Sequence, residues 1–121
     1  MDKHGALKFI CEIPIFFRKD GKITYYTLFN KASEFIKKFG LSREDFIMYL
    51  KNNPKYIEVW HEYAQDKRWT PAYYLSYENG KYSFGIKAKN SCDDKIYEIS
   101  EQPYELCADF ILKDCEHISS L

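Results

Sequence analysis

His61-Glu62 opens the pattern of helical zinc proteases, in which two histidines one turn apart bind the metal and the glutamate acts as base. Gln65 stands where the second histidine is required, so the pattern is incomplete and predicts no metal site. A small hydrolase or nuclease would need His61, Glu62 and Arg68 to converge in a cleft. The four cysteines, Cys11, Cys92, Cys107 and Cys115, form no Cys-x-x-Cys pair and have no histidine at zinc-ligand spacing. Cys107 is flanked by acids and Cys92 precedes Asp93-Asp94, surroundings that oppose a reactive thiolate. The five glycines are scattered singly, so there is no phosphate-cradling loop. His4 and His117 fall near frayed ends. These residues predict neither enzyme nor cofactor.

Binding chemistry is better represented. The formal net charge is zero, with 18 basic and 18 acidic residues, yet it divides into opposite parts. Residues 1–90 hold 16 Lys and Arg against 10 Asp and Glu; residues 91–121 hold only Lys95 and Lys113 against eight acids. Those acids are Asp93, Asp94, Glu98, Glu101, Glu105, Asp109, Asp114 and Glu116. Gathered on one face, they would repel nucleic acid and anionic lipid and attract a basic protein. Eleven Tyr and nine Phe exceed what a chain of 121 residues needs to hide, and surplus Tyr suits protein interfaces. Asp66-Lys67-Arg68-Trp69-Thr70-Pro71 places Arg68 and Trp69, two hot-spot residue types, in one loop.

The elements that must position these groups begin with an ambiguous segment. Phe9, Cys11, Ile13, Ile15 and Phe17 alternate, which predicts a strand over 8–18, restricted to an edge by Pro14. Lys19-Asp20-Gly21-Lys22 then reads as a turn into a second strand, 23–27, although a helix from Thr24 or Thr27 fits nearly as well. From Asn30 the period becomes helical: Ala32, Phe35, Ile36 and Phe39 precede Gly40 as C-cap. Ser42 and Asp45 resemble a capping box, and Phe46, Ile47 and Leu50 follow on the inward face. Pro54 opens a third helix carrying Tyr56, Val59, Trp60, Tyr63 and Ala64 at i, i+3, i+4, i+7 and i+8.

Asn79-Gly80 is the preferred pair of a two-residue type I′ hairpin turn. Counting back from it opposes Tyr77 to Tyr82, Leu75 to Phe84 and Tyr73 to Ile86, an apolar face throughout. Lys95–Ile99 adds a third short strand. Pro103 then begins an amphipathic helix with Tyr104, Cys107, Ala108, Ile111, Leu112 and Cys115 inward, and Asp109, Asp114 and Glu116 expected to face water. The fold class is therefore α+β. One domain, 1–121, is expected to set an antiparallel sheet around the 72–88 hairpin against about three central helices and a closing helix.

The strings Asp66-Lys67-Arg68-Trp69-Thr70-Pro71-Ala72-Tyr73-Tyr74, Asn79-Gly80-Lys81-Tyr82 and Glu105-Leu106-Cys107-Ala108-Asp109-Phe110-Ile111, in their order, resemble immunity proteins of bacterial contact-dependent growth inhibition and related polymorphic toxin systems. The resemblance covers roughly the last 55 residues. It implies a cytoplasmic antitoxin that binds and blocks a cognate protein toxin, often a basic nuclease domain, and needs no active site.

Two functions therefore compete. The first is a non-enzymatic toxin-neutralising protein whose partner-binding surface comprises Asp93, Asp94, Glu98, Glu101, Glu105, Asp109, Glu116, Arg68, Trp69, Tyr74 and Tyr97. The second is a nucleic-acid-binding regulator using the basic helices of 30–53, with Lys31, Lys37, Lys38 and Arg43 toward phosphate. Membrane partners are not expected, since no stretch approaches the roughly 18–20 apolar residues of a spanning helix. The polar start Met1-Asp2-Lys3-His4-Gly5, and the interruption of 10–17 by Glu12 and Pro14, argue against a signal peptide and for the cytoplasm. There the cysteines would stay reduced.

Overall fold

The structure, a computed structural model, describes residues 1–67 and 70–120. Arg68 and Trp69, both expected in the partner surface, lie outside the described residues. Among the described residues the chain is a single-domain α+β arrangement of six α-helices and a three-stranded antiparallel sheet. In order these are α1 (Lys3–Cys11), α2 (Ile13–Lys19), α3 (Tyr25–Phe39), α4 (Arg43–Asn52), α5 (Lys55–Gln65), β1 (Ala72–Glu78), β2 (Lys81–Lys87), β3 (Lys95–Ser100) and α6 (Tyr104–Ser119).

The expected strand over 8–18 is helical instead. Asp2 caps α1 by accepting from the Gly5 N–H, and Ala6, Leu7, Ile10 and Cys11 are buried at helical spacing. The alternation read from Phe9 to Phe17 is a by-product of an apolar run that two short helices divide at Glu12. Pro14 sits in the first turn of α2, where its missing N–H costs nothing. The second strand is also absent. Lys22 N–H bonds the Asp20 carboxylate, Thr24 accepts from the Thr27 N–H as N-cap, and Tyr25 begins α3.

Downstream, local chemistry and structure agree. Gly40 ends α3 in the left-handed region, φ 60°, where a side chain would be strained. Ser42 and Asp45 form the reciprocal capping box at α4. Asn79 and Gly80 both have positive φ, as a type I′ turn demands. The expected register holds, with Tyr77 opposite Tyr82, Leu75 opposite Phe84 and Tyr73 opposite Ile86. On that face only Leu75 and Phe84 are buried. The Tyr77–Tyr82 pair, with ring centroids 4.6 Å apart, extends past the core toward solvent.

Helix α6 is the hub, packing on α3, α4 and the inner face of all three strands. Its Phe110 ring meets Trp60, Tyr63 and Phe84. Trp60, fully buried, donates Nε1–H to the Cys11 carbonyl across 3.0 Å. Cys107 and Cys115 are buried in this core, and burial pushes both thiols well above their ordinary range. They pack as small apolar side chains.

Candidate partner-binding surface

The sheet order is β1-β2-β3, and α6 covers one face, so β3 is an outer strand. A bulge interrupts its pairing: Phe84 opposes Glu98 while Gly85 opposes Ile96, which leaves Tyr97 without a partner on β2. Bulges re-aim side chains. Tyr97 here reaches the Phe84 ring, centroids 5.6 Å apart, and stays 50% exposed. Ile96 and Ile99 are 61% and 59% exposed. The sheet is therefore complete toward the core and unfinished along β3.

The acids gather beside that strand, though fewer are free than their number suggests. Arg43, the first residue of α4, is met by three carboxylates from β3 and α6. Its Nε–H donates to Asp109 Oδ1 at 2.7 Å and its Nη2 to Oδ2 at 3.2 Å. Glu98 and Glu105 each lie 3.9 Å from the same Nη2. Hydrogen bonding to Asp109, together with burial, pushes the Glu98 carboxyl up to about 7. Burial raises Asp109, but hydrogen bonds from Arg43 and Glu98 outweigh it and hold this carboxyl below its ordinary range. One guanidinium thus faces three carboxyls, an excess of negative charge at the β3–α6 corner. Glu101 on the connection and Glu105 in the first turn of α6 are both exposed.

The other expected site residues are dispersed. Asp94 accepts the Ala88 N–H at 2.7 Å and holds the β2–β3 turn, with Asp93 exposed next to it. Glu116 is exposed on α6 in a cleft with Ser33, Lys37 and Leu112. Tyr74, expected as an exposed anchor, is half-buried, with Lys87 5.6 Å from its ring centroid. Its hydroxyl covers Gly85, where no Cβ would fit.

Asp109 and Asp114 were expected to face water. Asp109 is instead largely covered beneath Arg43, and Asp114 has no exposed surface at all. Asp114 accepts the Tyr63 O–H at 2.7 Å and a Lys67 Nζ hydrogen at 2.8 Å. Lys67 also donates to the Tyr73 carbonyl and lies 4.8 Å from the Phe110 ring centroid. Burial pushes the Asp114 carboxyl up and the Lys67 ammonium down, each opposed by the other's charge. The sequence does hint at this: Cys107, Ile111, Asp114 and Ile118 fall at i, i+4, i+7 and i+11, one helical face.

Of the three residues that a hydrolase would bring together, Arg68 lies outside the described residues. Glu62 pairs with Arg18 at 2.9 Å, while His61 neighbours Gln65 at the surface. No three His, Cys, Asp or Glu side chains among the described residues come together to hold a metal ion. No described helix is long and apolar enough to cross a membrane. Every buried side-chain nitrogen or oxygen among the described residues has a hydrogen-bond partner. In comparisons with family models, curated proteins and solved structures, the chain matches none.

Proposed function

We propose that this chain is a non-enzymatic binding protein of the immunity type, which occupies a basic protein toxin domain of nuclease class in the cytoplasm and blocks it. The observation that carries this reading is the juxtaposition at β3. Exposed Ile96 and Ile99 supply apolar contact on the sheet face away from α6, Tyr97 adds an exposed ring, and Glu98, Glu101 and Glu105 supply negative charge along the same strand and into the start of α6. Apolar anchors rimmed by charge of one sign suit a partner of the opposite sign, with the charges hastening encounter and excluding wrong partners. The nucleic-acid alternative is less well supported, because Arg43, the cation nearest the start of α4, is engaged by Asp109 rather than presented to phosphate.

The test is co-expression with the protein domain encoded next to this chain's gene, if that domain proves toxic when expressed alone. Cells should survive that domain only when this chain is present, and the two should co-purify. Glu101→Lys with Glu105→Lys, both at exposed positions, should slow association and flatten its salt dependence. Absence of protection and of complex would refute the reading; steep salt-dependent retention on heparin would favour the nucleic-acid alternative.

A further inference from the structure

The two edges of the sheet are finished differently. Along β1 the outward carbonyls are taken by side chains at the end of α5 and just beyond it. Lys67 Nζ reaches the Tyr73 carbonyl at 2.8 Å, and Gln65 Nε2 reaches that of Leu75 at 3.4 Å. Along β3, among the described residues, no hydrogen bond beyond the β2 ladder reaches the backbone of 95–100. An unpaired row of N–H and C=O groups beside exposed isoleucines is a template for another strand. Two guards restrict what can pair there, namely the bulge at Tyr97 and the charge gathered at Glu98. Guards of this kind discourage indiscriminate pairing, and here the guard is acidic.

We infer that the free edge of β3 takes an extended segment of the basic partner as a fourth strand, with a lysine or arginine of that segment entering beside Glu98 and Glu105. This rests on the reading of a basic partner given above and adds how that partner is held. With Glu98 and Asp109 joined by a hydrogen bond that shares one proton, the three carboxyls carry two negative charges against the one positive charge of Arg43, which leaves room for one more cation. A second copy of the chain is the competing occupant of the same edge, and its mark would be protection of residues 95–100 that rises with protein concentration alone.

The experiment uses the whole chain and two capped nine-residue peptides, one alternating valine with lysine and one alternating valine with glutamate. Amide hydrogen exchange should slow at residues 95–100 with the lysine peptide and not with the glutamate peptide. Ile96→Lys with Ile99→Lys should abolish that protection while leaving the circular dichroism spectrum unchanged, since both side chains are exposed. Unchanged exchange, equal protection by both peptides, or protection that rises with protein concentration alone would overturn the inference. Failure here is separable from failure of the proposed function. Neutralisation of the toxin with residues 95–100 unprotected removes only the edge, whereas a protected edge without neutralisation removes only the toxin.

Discussion

Replacing Asp114 with Asn tests whether the buried charge pair holds the fold together. The wild-type carboxylate is wholly enclosed and its partner Lys67 keeps only 5% of its side-chain surface exposed. In Asp114→Asn the Tyr63 hydroxyl can still donate to the amide oxygen, so that bond survives in kind. What is lost is the counter-charge of an ammonium that retains the Tyr73 carbonyl and aromatic faces for company. Removing one member of a buried pair costs about 3–5 kcal/mol, a large share of the roughly 5–15 kcal/mol that stabilises a domain.

The converse variant, Lys67→Met, should behave differently. Asp114 can then shed its charge by taking a proton, which burial already favours. Its folded value lies above its unfolded one, so the deficit is small in acid and grows as pH rises past about 4, the ordinary Asp range. Asp114→Asn with Lys67→Met should lie within about 1–2 kcal/mol of wild type, because two desolvated charges vanish together and the Tyr63 hydroxyl keeps an acceptor. Urea unfolding monitored by tryptophan fluorescence, at several pH values, measures all four corners of the cycle. A single-variant cost below about 1 kcal/mol, or single costs that simply add in the double variant, would refute the reasoning.

Glu98→Gln should alter the pH dependence of stability. The folded carboxyl at about 7 exceeds the unfolded value of about 4.3, so its contribution is largest below 4.3 and is lost as pH rises through 7. Glutamine cannot ionise, and the variant's stability should therefore fall less over that interval; an unchanged slope in urea titrations counts against the Glu98–Asp109 contact. Gly85→Ala should cost about 2–3 kcal/mol, because a Cβ there would meet the Lys95 carbonyl oxygen and the Tyr74 hydroxyl. Near-wild-type thermal unfolding of that variant would show that β3 and Tyr74 can yield.

Short-range chemistry was legible in the sequence wherever a specific residue type had a specific geometric duty. Asn79-Gly80 determined a turn and, by counting, a whole register; Ser42, Asp45 and Gly40 marked helix ends. The segment before Thr24 was misread because 9–17 is apolar on nearly every side, which lets strand and helix periods fit equally well. The candidate surface was half legible. That Glu98, Glu105 and Asp109 belong near one another follows from β3 and α6 being consecutive. That Arg43 would claim Asp109 does not, since the two are 66 residues apart and only the packing of α4 on α6 unites them. Lys67 and Asp114 were missed for a related reason: a charge in a loop and a charge on a helix both look solvated until tertiary contact closes over them.

The central place of α6 has a consequence for how the chain comes into being. α3, α4, α5 and all three strands pack on residues 104–119, so the side of the core that faces the sheet closes only once the ribosome has delivered this helix. At about 5–20 residues per second, the chain through β3 spends several seconds without α6, and the faces of Trp60, Tyr63 and Phe84 that meet Phe110 have no partner in that time. A nascent chain stalled before Tyr104 would be a client for chaperones and proteases rather than a smaller version of the protein.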